Sequence, residues 1–189
     1  MRRGIIYFTL FVLSFMQVSC SSENAPEQKT SQGKPLMVYL VRHAEKIDQS
    51  RDPELSVSGK ERALVLASVL RSANIEYIHS SDYIRTRETA KPLAQELGLS
   101  TEIYNPKELE TFAQQLRETG GVHLVVGHSN STPSLVSLLG GESGTEINEA
   151  AEYDRLYIVS DSGNGFVSSS LIRYGRFFDE SVETGTKAE

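Results

Sequence analysis

The chain has 189 residues and a mass near 20.9 kDa, with 39% hydrophobic and 23% charged residues. This composition excludes collagen-like and wholly disordered chains, and the length suits one domain with a tail. A balance of 19 Lys+Arg against 25 Asp+Glu gives a net charge of −6. That argues against general nucleic-acid binding, which needs a basic face, but leaves room for a small basic pocket that holds an anion. Cys20 is the single cysteine, so no internal disulfide can form.

The N-terminus reads as an export signal over residues 1–19. Arg2 and Arg3 precede an apolar run from Ile5 to Met16, too short for the roughly 20 residues of a membrane-spanning helix and matching the hydrophobic region of a signal peptide. Cys20 follows at once, which resembles a bacterial lipoprotein signal in which the cysteine is lipidated, although Gln17 stands where such signals usually have Leu. The expectation is a protein of the bacterial cell envelope, anchored to a membrane through Cys20. Residues 20–35 are polar, contain Pro26, Gly33 and Pro35, and hold no large apolar residue. They cannot bury a core and read as a tether reaching about 50 Å when extended.

A domain is expected over 36–178. Met37–Val41 is a run of mostly β-formers, and either Ser56 or Ser58 can cap a helix whose apolar face is Ala63, Leu66, Ala67 and Leu70. Ile75–Ile78 and Thr101–Tyr104 read as short strands, with a helix from Ile84 to Leu97 between them, stopped by Gly98 and kinked at Pro92. Pro106 to Glu118 opens on Pro and closes on Gly120-Gly121, as a helix does. Leu124–Val126 is a strand and Ser131–Leu139 a short helix. Leu156–Val159 and Phe166–Ile172 flank a Gly- and Asn-containing turn and read as a hairpin. Strands alternating with helices indicate βαβ units and an α/β fold with a largely parallel sheet. Residues 179–189 are acidic and small, a frayed tail.

Three polar clusters follow three of these strands: Arg42-His43-Ala44-Glu45, Ser80-Ser81-Asp82-Tyr83-Ile84-Arg85 and Gly127-His128-Ser129-Asn130. In open α/β sheets ligands bind beyond the carboxyl ends of the strands, so these clusters can converge. Together they offer two guanidiniums, two imidazoles and a helix N-terminus, groups suited to a phosphoryl dianion. The ordered set, with Leu55-Ser56 and Gly59 opening a helix and Thr89-Ala90 after Arg85, resembles the histidine phosphatase superfamily, the phosphoglycerate mutase-like branch, over about residues 37–175.

The resemblance implies a mostly parallel sheet with helices on both faces, no cofactor and no metal. It implies a phosphatase acting on a small phosphorylated substrate or a phosphoprotein, with His43 as the nucleophile that becomes phosphohistidine, Arg42 and Arg85 as phosphate-binding arginines, and His128 as the second histidine that holds the phosphoryl group. Two cations beside His43 would keep it neutral. The family's Arg-His-Gly is Arg42-His43-Ala44 here, and only 42 residues separate Arg85 from His128. That interval leaves little room for a cap and resembles the small bacterial phosphohistidine phosphatases more than a mutase. It contains no clear general acid; Glu108 and Glu110 within it, and Asp82 just before Arg85, are the candidates.

Other residues have plainer readings. Arg87 reads as surface, His79 and His123 as structural or surface, and Glu142, Glu146, Glu149 and Glu152 as a solvated acidic face. Glu45 can equally pair with an arginine or face substrate. A serine hydrolase built on Ser129 fails because no histidine follows His128 in the chain. A metal site of His43, Glu45 and His128 is disfavoured by two adjacent arginines. A lipoprotein that binds a phosphorylated ligand without turnover remains the alternative to an enzyme.

Overall fold

A computed structural model describes residues 33–176. Cys20, the signal segment, most of the tether and the 179–189 tail lie outside the described residues. The elements run β1 (Leu36–Arg42), α1 (Val57–Leu70), β2 (Tyr77–Ser81), α2 (Ile84–Leu97), β3 (Thr101–Tyr104), α3 (Leu109–Thr119), β4 (Gly121–Gly127), α4 (Ser131–Leu138), β5 (Arg155–Asp161) and β6 (Val167–Arg173). One six-stranded sheet has the order β3-β2-β4-β1-β5-β6. Strands β1 to β4 are parallel, and β5 and β6 add an antiparallel edge.

Crossovers of one handedness place helices on opposite faces when the chain reverses its direction across the sheet. The chain moves outward from β1 to β3 through α1 and α2, then returns through α3 and α4. Accordingly Leu66, Leu70, Ala90 and Leu93 pack with Val41, Leu124 and Val126 on one face. Phe112, Leu116, Leu135 and Leu139 pack with Val38, Leu40 and Val125 on the other. The alternation along β1 and β4 thus feeds two cores from one pair of strands.

Local signals account for most boundaries. Ser56, rather than Ser58, caps α1: its Oγ accepts the Gly59 N–H at 3.1 Å. Gly98 adopts the left-handed conformation that ends α2, and Pro92 lies inside that helix without ending it. Several boundaries differ from the sequence reading, among them β4, which starts at Gly121 rather than Leu124. β2 starts at Tyr77 and extends through Ser81, because parallel pairing carries His79 and Ser80 into the ladder with β4 and Ser81 into the ladder with β3. α3 starts at Leu109 rather than Pro106, because Asn105 first makes a turn in which its Oδ1 accepts the Lys107 N–H at 3.0 Å.

Candidate active site

The carboxyl ends of β1, β2 and β4 bring the three polar clusters together. β1 and β4 are neighbours in register, Arg42 opposite Gly127. The ladder runs one bond further, from His43 N–H to the Gly127 carbonyl at 2.9 Å, so His43 and His128 leave the sheet side by side. Their rings meet edge-on with centroids 5.5 Å apart. Gly127 is required by close approach: a Cβ there would stand 2.8 Å from Tyr104 Oη, 2.9 Å from Thr132 Oγ1 and 3.0 Å from Ser131 Oγ. That same Ser131 Oγ accepts the His128 N–H at 3.0 Å. Gly59 lets α1 press on the loop after His43, since its Cβ would lie 2.3 Å from the Glu45 carbonyl oxygen.

His43 is buried, and its Nδ1 lies 2.8 Å from the Ala44 carbonyl oxygen. A carbonyl only accepts, so Nδ1 carries the proton and Nε2 presents a lone pair. Burial pushes the imidazole down to about 2, with repulsion from Arg42, Arg85 and His128 adding to it. The sequence reading assigned this neutrality to the two arginines, whereas burial is the larger cause. The loop is held from behind: Ala44 N–H donates to Thr89 Oγ1 at 3.0 Å, and Thr89 Oγ1 donates to the Arg85 carbonyl at 2.7 Å. Glu45 resolves to the arginine partner, with Arg62 Nη2 and Nε at 2.7 and 2.9 Å from its Oε1.

The two site arginines are held differently. Arg42 is 1% exposed. Its Nη1 donates to the Asn148 and Glu152 carbonyls at 3.2 and 3.0 Å, its Nη2 to the Glu149 carbonyl at 2.7 Å, and its guanidinium lies 4.1 Å over the Tyr153 ring. Arg85, in the first turn of α2, stacks on Tyr83 at 4.5 Å and stands 3.5 Å from Asp52 Oδ1. Asp52 Oδ1 also accepts the Ile84 N–H at 2.9 Å, so a carboxylate from a distant loop caps α2. Arg42 Nε, Arg85 Nε and Arg85 Nη1 are buried donors with no hydrogen-bond partner among the described residues. Buried donors are ordinarily satisfied, and phosphoryl oxygens are acceptors that suit them, although Arg85 Nη1 also faces Asp52 Oδ1 at 3.5 Å.

His128 Nδ1 faces Arg85 Nη2 at 3.4 Å, and its Nε2 lies 2.8 Å from Ser81 Oγ. Arginine only donates, so Nε2 carries the proton and Ser81 accepts it. Burial first, then Arg85 and Arg42, push this imidazole down to about 4.

The general-acid candidates do not gather here. Asp82 is exposed and pairs with Arg87. Glu108 accepts from Asn105 Nδ2 at 2.9 Å, and Glu110 is exposed in the first turn of α3.

The acidic-face reading of Glu142, Glu146, Glu149 and Glu152 needs correction for Glu152. Glu152 is buried and accepts from Arg155 Nε and Arg173 Nη1 at 2.7 and 2.6 Å. Burial works to raise its carboxyl, but hydrogen bonds from Arg155, Asn148 and Arg173 outweigh that and hold it down to about 2. This network braces the 148–152 loop that clamps Arg42. Glu149 faces the site: its Oε1 lies 4.0 Å from both Arg42 Nη2 and Lys46 Nζ, and its Oε2 accepts from Ser129 Oγ at 2.9 Å. Four residues of one sign read as solvent-facing on charge alone, and nothing in their spacing reveals arginines arriving from β1, β5 and β6.

His79 and His123 are buried away from this site. His79 Nε2 donates to His123 Nδ1 at 2.9 Å, and His123 Nε2 donates to the Gly120 carbonyl at 2.8 Å. They line a 570 Å³ cavity between α3 and the β2–β3 edge that includes neither His43 nor His128.

The sequence profile of the histidine phosphatase superfamily (branch 1) matches residues 38–110, which include Arg42, His43 and Arg85. A Salmonella choleraesuis protein named "Probable phosphoglycerate mutase GpmB" is 36% identical over 90 residues, covering 44% of this chain and 38% of that protein. The match therefore spans well under half of the relative's length. Among solved structures, the protein histidine phosphatase SixA in complex with tungstate superposes with a TM-score of 0.54 at 20% identity, over 74% of this chain and 96% of that one. The mycobacterial glucosyl-3-phosphoglycerate phosphatase gives 0.55 at 14% identity, over 75% and 99%. A Bacillus anthracis phosphoglycerate mutase gives 0.55 at 16% identity, over 76% and 94%. Such likenesses show the fold, and together with the profile match over residues 38–110 they make the chain similar to the histidine phosphatase superfamily.

Proposed function

We propose that the protein is a phosphatase that hydrolyses phosphomonoesters, or the phosphoramidate of phosphohistidine, through a covalent phosphohistidine at His43. The observation that carries this reading is the His43 ring: neutral, fixed through Nδ1–H, with Nε2 as its lone pair among two guanidiniums and a second imidazole. Phosphoryl transfer asks mainly for positioning and charge stabilisation, and covalent capture splits one displacement into two. His43 Nε2 forms the bond to phosphorus as the ester P–O bond breaks. Water then forms a P–O bond as P–N breaks, returning neutral His43. The unpartnered donors of Arg42 and Arg85 hold the phosphoryl oxygens throughout.

Hydrolysis is favoured over mutase chemistry because the chain between Arg85 and His128 forms α2, β3, α3 and β4, all part of the layered core. That segment supplies no cap to retain an intermediate from water. No metal is required by this scheme, and turnover should persist in chelator. The test is trapping: labelled aryl phosphate followed by rapid denaturation should leave acid-labile, base-stable phosphate on His43, and His43→Ala should lose label and turnover together. Binding of phosphate by the wild type without turnover would favour the non-enzymatic reading.

Export and lipidation at Cys20 form part of the same proposal, supported by Arg2-Arg3, the Ile5–Met16 run and the polar stretch after Cys20. Cys20→Ala should release the protein from the detergent phase when expressed in its native host. A wild type without lipid and with an N-terminus other than Cys20 would refute the anchor.

A further inference from the structure

Hydrolysis of a phosphohistidine needs a group that takes a proton from the attacking water, and none of the residues resembling the family's motifs supplies one. His43 is the bonded residue, His128 points its Nε2 proton at Ser81 and its Nδ1 lone pair at Arg85 Nη2, and the arginines only donate. The carboxylates around the site are mostly committed. Glu45 is forked by Arg62, Asp52 caps α2 and faces Arg85, Glu88 accepts the Leu55 N–H at 2.7 Å, and Glu152 lies inside its arginine network.

Glu149 differs. Its backbone is fixed by its carbonyl's hydrogen bond from Arg42 Nη2, 2.7 Å. One carboxylate oxygen is oriented by Ser129 Oγ at 2.9 Å, and Ser129 directly follows His128. The other, Oε1, accepts no hydrogen bond from the described residues and sits 4.0 Å from Arg42 Nη2. The side chain is 67% exposed, so water reaches it, and it borders a 470 Å³ cavity lined also by Ser129, Ser134, Ser137 and Thr145. The carboxylate therefore stands between the phosphoryl-binding guanidinium and a space open to water.

Resting on the phosphatase reading, we propose that Glu149 is the general base of dephosphorylation, its Oε1 taking the proton of the water that attacks phosphohistidine. The O–H bond of water breaks as the P–O bond forms, the P–N bond returns its electron pair to His43 Nε2, and the carboxyl later loses its proton to solvent. The resting ionisation fits. The Ser129 hydrogen bond, then Arg42, Lys46 and His128, hold the carboxyl below its ordinary range.

The test uses the full chain, an activated aryl phosphate and rapid quenching. An aryl oxide leaves unaided, so the first step needs no acid and the second step isolates Glu149. Glu149→Gln keeps the shape and the backbone carbonyl that clamps Arg42. It should release one equivalent of aryl oxide in a burst, accumulate label on His43, and turn over roughly 10²-fold or more slowly, the usual scale of general-base catalysis. Ser129→Ala should move the acidic limb of the dephosphorylation rate to higher pH, since it removes the hydrogen bond that holds the carboxyl low. A merely structural role for Glu149 would slow both steps alike without accumulation of label, and that result, or unchanged turnover, would overturn the assignment while leaving the His43 mechanism intact. Absence of wild-type turnover and of label on His43 would instead remove the phosphatase reading itself, and this inference with it.

Discussion

The two site arginines look equivalent as sequence motifs and are not equivalent as side chains. Arg42 spends three hydrogen bonds on carbonyls of the 148–152 loop and keeps Nε as its buried, unpartnered donor. Arg85 keeps Nε, and its Nη1 has no hydrogen bond but faces Asp52 Oδ1 at 3.5 Å. Arg85→Ala should therefore act mainly on the reaction, lowering kcat/KM by about 10²–10³, the scale of losing one donor to a developing oxyanion. Lysine there should rescue poorly because an ammonium lacks the planar fork. Arg42→Ala removes charge-assisted hydrogen bonds of about 1.5–3 kcal/mol each before relaxation, so it should lower the urea midpoint clearly more than Arg85→Ala does. Equal midpoints for the two variants, measured side by side, would contradict the clamp.

At the scale of elements, one contact joins α4 to the end of β4. Gly127 admits Ser131 and Thr132, and Ser131 in turn holds the His128 N–H at 3.0 Å. Adding one methyl must push α4 or β4 aside. Gly127→Ala should cost about 1–3 kcal/mol, as overpacking a filled core does, and should depress turnover beyond the loss of folded protein by displacing His128. Denaturant unfolding alongside activity per folded molecule checks both parts. Asp52 works at the same scale, fastening the 46–55 loop to α2 through the Ile84 N–H at 2.9 Å.

For the whole molecule, four neutral imidazoles inside the domain set an acid limit. His43 is held down to about 2, His79 and His128 to about 4, each chiefly by burial, and His123 is lowered by burial too. In the unfolded chain these groups titrate near 6.5. The folded state thus binds fewer protons than the unfolded one below that pH. The penalty is absent above 6.5, grows as pH falls, and is complete for His79 and His128 below about 4. Each such histidine costs about 1.4 kcal/mol per pH unit inside the window. Urea unfolding should show a loss of several kcal/mol between pH 7.5 and 5.5. A flat profile across that range would mean that the imidazoles are not buried as described.

What the sequence determined by itself was the order of the elements and the placement of Arg42, His43, Arg85 and His128 at strand ends or a helix start. These are legible because strand alternation, helix caps and the glycines at Gly59, Gly98 and Gly127 act over a few residues. The tertiary structure alone decided which polar side chains meet. Ser129 and Glu149 are 20 residues apart, Asp52 and Ile84 are 32 apart, and Arg42 reaches Glu149 across 107. Those encounters depend on β1 lying between β4 and β5, an order that no local spacing encodes. Charge alone made Glu152 look like a solvent-facing acid, and gave no sign that the exposed Glu149 lies beside Arg42. Whether a carboxylate faces water or an arginine depends on the strand delivered beside it.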